Sequence, residues 1–436
     1  MIFFLLPLFI STDSENSGRE IFKMLEPKNV AEMRKDYLIP CLNYFYKNPP
    51  VLVKGDMQYL YDNKGKKYLD FFSGVSVMNC GHSNPYIINR VIEQLKTLQH
   101  TTNIYLTEPI VLLAKKLSEI LPEGLHSSFF CMSGSEANEG ALLLARIYTG
   151  KKKFVALKNS LHGRTFLAMS ATDIPMWRAD PFLSEDFYFI ENSQNESQSL
   201  KELEELLEKD NDIAGFIAEP IQGNGGIITP DENYFSDISR ILKKYNVLMI
   251  ADEVQTGFAR TGKMFAIEHY NVVPDIITMS KAFGNGLPIA AFSTTKEIAE
   301  KFTTPSASTL GGNPVSCSAA LAVLDYMQEQ NLCKKSHELG ELLLQELNQL
   351  QNKYSFIKEV RGKGLMLGME INGDWTDSIL EQLKDNGIIL GKNGLKRNVL
   401  AFQPPLIINE FDIHFLIKNL EDIFAEINSN PNLLLT

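Results

Sequence analysis

The sequence predicts an α/β fold, with a mostly parallel central sheet flanked by helices and a small α+β domain assembled from both ends of the chain. Three observations predict it. Short apolar runs alternate with helical patterns from about residue 70 to residue 330. These runs are apolar almost throughout and end in polar turns, as strands buried on both faces must. A hairpin pattern precedes this region and an amphipathic helix follows it.

Taken in order, residues 1–23 read as a disordered extension. Met1–Ile10 is apolar, but no Lys or Arg precedes it and no small-x-small cleavage site follows, so the reading is against a secretory signal. The run is too short to span a bilayer, and Met24 is a natural start for the folded chain. Residues 24–75 read as the N-terminal part of the small domain. Within them Leu60–Phe72, with the turn Asp62-Asn63-Lys64-Gly65, reads as a hairpin.

Residues 76–330 read as the large domain. Asn84 as N-cap and Pro85 at the first helical position open a helix, with Ile88, Val91, Ile92, Leu95 and Leu98 as its apolar stripe. Strands are expected at Phe129–Met132, Phe154–Leu157, Ile213–Ala218, Val247–Ala251 and Ile276–Met279. The polar stretch Glu191–Lys201 reads as a surface loop or connector. Leu321–Leu324 falls inside a long helix that joins the two domains. Residues 331–436 read as the C-terminal small domain: a helix, a strand at Gly364–Ile371, and a last helix over about Glu410–Ile427. That helix sets Ile413, Leu416, Ile417, Leu420, Ile423, Phe424 and Ile427 on one face.

Composition narrows the function. The chain has 436 residues, 44% hydrophobic and 22% charged, the balance of a soluble globular protein. A net charge of −11 repels phosphate backbones and anionic lipid, which argues against nucleic acid and membrane partners. The five cysteines are scattered and show no CxxC or Cys/His metal spacing, so free thiols in the cytoplasm and no metal site are expected.

Three motifs carry chemistry. In Met249-Ile250-Ala251-Asp252-Glu253-Val254-Gln255-Thr256-Gly257 an apolar strand ends in a carboxylate, and ligands of open α/β sheets sit beyond such strand ends. A buried, charged Asp252 requires a facing cation, and a protonated pyridine nitrogen is one. Alone, Asp252 also reads as the cap of an ordinary turn. About 30 residues on, Asp275–Met279 delivers Lys281 to the end of a second strand, with Gly284 and Gly286 behind it. A desolvated lysine loses proton affinity and attacks carbonyls, although Lys281 alone also reads as a surface residue. Third, Ser133-Gly134-Ser135-Glu136 precedes a helical run and offers N–H groups to a phosphate; by itself it reads first as a helix cap. Ser308–Pro314 is a second candidate for a phosphate contact.

With these residues in view, the chain resembles the class III aminotransferases, a group within the fold type I pyridoxal-phosphate enzymes. The matching blocks are Ser133–Asn138 (SGSEAN), Leu161–Thr165 (LHGRT), Glu219–Gly223 (EPIQG), Ala251–Gly262 (ADEVQTGFARTG), Ser280–Pro288 (SKAFGNGLP) and Thr309–Pro314 (TLGGNP). They lie in the family's order and span about residues 40–425. The resemblance implies pyridoxal 5'-phosphate bound to Lys281 as a Schiff base, with Lys281 also shuttling the proton. It implies Asp252 on the pyridine nitrogen, Val254 on one ring face, Gln255 on the phenolic oxygen, and Gly134 and Ser135 on the phosphate. Thr309 would reach that phosphate from the other subunit of a homodimer. Glu219 would support the Asp252 neighbourhood, His162 would lie near the ring, and Arg164 would clamp a substrate carboxylate.

The implied reaction is a ping-pong transfer of an amino group from an amino acid or ω-amino acid to a 2-oxo acid. Alanine–glyoxylate, 4-aminobutyrate and acetylornithine aminotransferases are the family's types. The alternative is a racemase, epimerase or amino-lyase on the same cofactor; a cofactor-free binding protein is the rival from another class. This sequence departs from the family pattern at four places. Leu161 replaces the usual ring-stacking aromatic. Asn224 and Ala401 stand where ω-amino-acid members often carry a Glu–Arg pair, and both partners are missing together. Leu310 replaces a common aromatic before Gly311-Gly312.

Overall fold

The computed structural model describes residues 27–41 and 44–429. The expected extension, residues 1–23, lies outside them. Fifteen strands occur among the described residues. In chain order they are β1 Leu52–Asp56, β2 Tyr59–Asp62, β3 Lys67–Asp70, β4 Ser127–Cys131, β5 Lys153–Leu157, β6 Phe187–Ile190, β7 Ile213–Ala218, β8 Leu248–Asp252, β9 Ile276–Met279, β10 Ala290–Thr294, β11 Ile357–Lys363, β12 Met366–Ile371, β13 Ile388–Ile389, β14 Gly391–Asn393 and β15 Val399–Phe402.

Seven of these form the central sheet, in the order β4-β10-β9-β8-β7-β5-β6. Its pairs are parallel from β6 through β9, and β10 runs antiparallel to both β9 and β4. Every residue of β7, β8 and β9 is buried, so these strands carry apolar side chains on both faces. Two four-stranded sheets complete the molecule, β1-β2-β3-β13 and β11-β12-β15-β14. β13 pairs in parallel with β3, so sequence-distant ends of the chain share one sheet.

The expected strands and hairpin form, with ends that shift for local reasons. β12 begins at Met366 because Gly364 turns the chain at φ +53°, packed against the backbone of Thr261. β2 and β3 pair antiparallel across Asp62–Lys66, and Asp62 Oδ1 takes N–H bonds from Lys64 and Lys66, which fixes the turn. Asn84 caps the helix Pro85–Thr97 through Tyr86 N.

One expectation is refined and one corrected. The apolar stripe of helix Pro85–Thr97 is split: Ile87 and Val91 are buried, whereas Ile88, Ile92, Leu95 and Leu98 are each more than 40% exposed. The helix has a second apolar face that the described residues leave largely open. The stretch Glu191–Lys201 is not all connector, because the helix Glu196–Lys209 starts within it. Leu203 and Leu207 are buried one turn apart, and the polar residues between them face solvent.

The last helix, Glu410–Ser429, buries all seven of the apolar residues read as its core face. Phe424 is wholly buried and meets Tyr354 and Phe356 edge-on, with ring centroids 5.6 and 5.4 Å away. Phe424→Ala removes that packing and opens a cavity. A loss of about 3–5 kcal/mol in unfolding free energy is expected by chemical denaturation; a loss below about 1 kcal/mol would contradict this packing.

Candidate active site

The ends of β8 and β9 lie side by side, with Asp252 in register with Thr278. Asp252 is the last residue of β8 and is almost fully buried. Each of its oxygens is occupied. Oδ2 accepts from Asn138 Nδ2 at 2.7 Å and from His162 Nδ1 at 2.7 Å, and Oδ1 accepts from Val254 N at 3.1 Å. Facing a carboxylate that only accepts, His162 Nδ1 carries the proton. Asn138 is itself fixed: its Nδ2 also donates to His162 O at 2.6 Å, and its Oδ1 accepts from Thr278 Oγ1 at 2.6 Å. Strand β9, the helix Gly134–Thr149 and the His162 loop therefore converge on one carboxylate.

Lys281 follows β9 by two residues and sits at φ +48°, a region that non-glycine residues seldom adopt. Its loop is pinned from behind. Asn285 Oδ1 accepts from Cys80 N and Asn285 Nδ2 donates to Gly81 O, each at 2.9 Å. Burial pushes the Lys281 amine below its ordinary value, opposed by the charges of Glu219 and Asp252. A fraction of the amine is thereby made available as a nucleophile or base.

Both side chains line one cavity of about 250 Å³. Gly134, Ser135, Leu161, His162, Arg164, Glu219, Val254 and Gln255 line it too. Of the residues singled out from the sequence, Thr309 is not brought in: it is exposed on the loop before Gly311. Glu219 does not bond Asp252. Its oxygens accept from Leu161 N at 3.0 Å and Gly223 N at 3.1 Å, so it holds the two loops that close the cavity. Burial lifts its pKa to about 7, with His162 opposing and Asp252 reinforcing the shift.

Several cavity features call for a ligand. His162 Nε2 and both amide atoms of Gln255 are buried without a hydrogen-bond partner. At the start of the helix Gly134–Thr149, Ser133 Oγ accepts from Glu136 N while Glu136 Oε2 accepts from Met132 N, so the cap reading holds. The first helical N–H groups, at Gly134 and Ser135, have no intrahelical acceptor and face the cavity wall, so the anion reading stands beside it. A side chain at Gly134 would place its Cβ 2.7 Å from Val254, so this cradle requires glycine. A polar aromatic ring with an anionic tail fits this donor set: the carboxylate at a ring nitrogen, the amide at a ring oxygen, the helix start at the tail.

Sequence reading missed three contributors. Asn138 lies inside the quoted SGSEAN block, but its place in the Asp252 network needed the fold. Thr278 is hidden as one apolar-flanked strand residue. Trp177 lines the cavity from the short turn Pro175–Trp177, which no residue pattern marks in advance.

A buried amine and a held carboxylate at adjoining strand ends of a parallel sheet define an α/β enzyme site. The family model described as aminotransferase class-III matches residues 45–424, and the chain belongs to that family. The chain is 40% identical over 411 residues to alanine–glyoxylate aminotransferase 2 homolog 2, mitochondrial, of Arabidopsis thaliana, covering 90% of this chain and 86% of that protein. It is 40% identical over 412 residues to the acetylornithine aminotransferase of Methanocaldococcus jannaschii, covering 92% of this chain and 100% of that protein. A solved ornithine aminotransferase from Toxoplasma gondii, with pyridoxal phosphate partly occupying its active site, superposes with a TM-score of 0.87 at 28% identity, covering 94% of this chain and 97% of that one.

Next to the site, Glu253 is fully buried and accepts from Thr256 Oγ1 at 2.5 Å and Ile267 N at 2.7 Å; burial lifts its pKa to about 7 from 4.5. A carboxyl with a raised folded pKa stabilises the fold fully below about pH 4.5, and that stabilisation is lost as pH rises through about 7. Glu253→Gln removes this term. Between those limits the variant should gain stability relative to the unmodified protein as pH rises, read by denaturation at several pH values. A difference that is flat, or that runs the other way, would refute the assignment.

Proposed function

We propose that the chain binds pyridoxal 5'-phosphate in this cavity and transfers an amino group from an amino acid or ω-amino acid to a 2-oxo acid. The observation that carries the reading is the shared cavity of Lys281 and Asp252, with the unpartnered Gln255 amide and the Gly134–Ser135 helix start beside them. When bound, the cofactor supplies a protonated aromatic ring that withdraws electrons from the carbon bearing the substrate amine.

The chain's own residues do the rest. Asp252, oriented by Asn138 and His162, would keep a proton on the ring nitrogen. Val254 would pack against one face of the ring, and Leu161 would give the other an aliphatic contact. Gln255 would bond the phenolic oxygen, and Gly134 and Ser135 would hold the phosphate. The Lys281 amine would anchor the cofactor and serve as the general base that takes the substrate Cα proton and hands it on. Glu219 keeps the Leu161 loop in place, and Arg164 receives the substrate carboxylate.

The same reading makes the enzyme a homodimer in which Thr309 serves the partner's phosphate site. In the single chain Ile104 is 84% and Leu106 98% exposed, and their loop is tied to the Thr309 loop through Asn103 Nδ2 on Gly311 O at 3.3 Å. Apolar side chains this exposed are expected where a second subunit packs. Residues 76–330 serve as the large cofactor domain, with 24–75 and 331–436 as the small one. The free cysteines favour the cytoplasm. No helix of the described residues is long and apolar enough to cross a membrane.

Lys281→Ala should lose the visible absorbance of lysine-bound cofactor and cut turnover by at least about 10⁴-fold, in the range seen when a nucleophile or base is removed. The unmodified enzyme should need an oxo acid for sustained turnover. Near-normal activity in the variant would sink the assignment, and turnover with no acceptor would move the enzyme to the racemase or lyase reaction.

A further inference from the structure

A cavity that serves both halves of an amino transfer must fit donor and acceptor with the same charges. Among the described residues that line it, Arg164 is the one Lys or Arg besides Lys281. The Arg164 backbone N–H donates to Ser135 Oγ at 3.0 Å, and its guanidinium has no carboxylate partner among the described residues. The facing carboxyls are Glu219 and Asp252, and Asn224, Leu161 and Trp177 are uncharged.

The neighbouring cations are committed elsewhere. Arg361 donates to Gly226 O through Nε at 2.9 Å and Nη2 at 2.6 Å, and its Nη1 pairs with Glu359 and Glu370. Arg178 donates to the carbonyls of Ser170 and Thr172. Arg397 lies over the Phe45 ring and lines a different cavity. On the dimer reading the Thr309 loop would come with the loop tied to it by the Asn103–Gly311 bond, and residues 98–107 and 302–315 contain no Lys or Arg.

One cation meets one carboxylate. A second carboxylate in this cavity has no cation to pair with and has two buried acids nearby, an arrangement that is costly for a desolvated charge. From this we infer that the site takes monocarboxylates: donor and acceptor each carry a single carboxylate, held by Arg164, and dicarboxylic oxo acids are poor acceptors. The inference rests on the transaminase reading above and deepens it. The amino group passes to the acceptor's carbonyl carbon, and the carbonyl oxygen reaches the donor carbon through water, so no outside oxidant or reductant is needed. Asn224, a neutral residue lining the cavity, is a position at which a second cation can be introduced.

The test loads the full-length enzyme with pyridoxamine phosphate and mixes it with pyruvate, glyoxylate, 2-oxoglutarate or oxaloacetate, following the return of the visible absorbance. Pyruvate or glyoxylate should react at least tenfold faster, as a second-order rate constant, than either dicarboxylate. Asn224→Arg should shift the ratio of 2-oxoglutarate to pyruvate at least tenfold towards 2-oxoglutarate. Arg164→Gln should weaken every acceptor mainly through KM, with partial recovery in Arg164→Lys. If 2-oxoglutarate reacts as well as the monocarboxylates in the unmodified enzyme, the inference is overturned, while amino transfer itself still stands. Reaction with none of the four would overturn both. Should Asn224→Arg fail to fold, the acceptor ratio of the unmodified enzyme decides alone.

Discussion

The buried charge of Asp252 is the constraint on which the rest of the site depends. A carboxylate this deep is tolerated only with hydrogen bonds and a facing cation. Asn138 and His162 supply the side-chain bonds, Val254 the backbone one, and the cavity offers the place for the cation. The parallel sheet explains why this group points out rather than in. β8 and β9 end together, so a side chain from the last residue of one and another just past the end of the other enter the same space. Lys281 arrives by that route, and the desolvation that makes Asp252 demanding is also what lowers the lysine's proton affinity.

Much of this was legible in the sequence because strand-end chemistry is local. An apolar run ending in Asp252 and another reaching Lys281 are visible without coordinates, and β7 and β9 have the bounds their apolar runs suggested. The last helix was legible for the same reason, since seven apolar residues at helical spacing admit one face. The links between distant segments were not. Asn138 reads as a polar helix residue until Asp252 and Thr278 are seen on either side of it, 114 and 140 residues away in the chain. Trp177 enters the cavity from a turn without periodicity.

The open face of helix Pro85–Thr97 is informative in another way. Apolar spacing states that a surface avoids water, not what covers it. Ile88, Ile92, Leu95 and Leu98 keep helical spacing, and the single chain leaves them open. Spacing alone does not distinguish a stripe packed in the core from one left on the surface. The departures at Leu161, Asn224 and Ala401 carry information of the same sort. Asn224 and Leu161 line the same cavity as Lys281 and Asp252, so these positions bear on its charge and its aromatic character.

The central claim is electrostatic: Asp252 holds a proton on the nitrogen of a ring that Lys281 anchors. Ring-¹⁵N-labelled pyridoxal phosphate bound to the enzyme tests it most directly, with the nitrogen's chemical shift followed as pH rises from neutral. The account predicts a protonated nitrogen well above neutral pH in the unmodified enzyme and an unprotonated one in Asp252→Asn. An unprotonated nitrogen in the unmodified enzyme, or the same shift in both proteins, would contradict it.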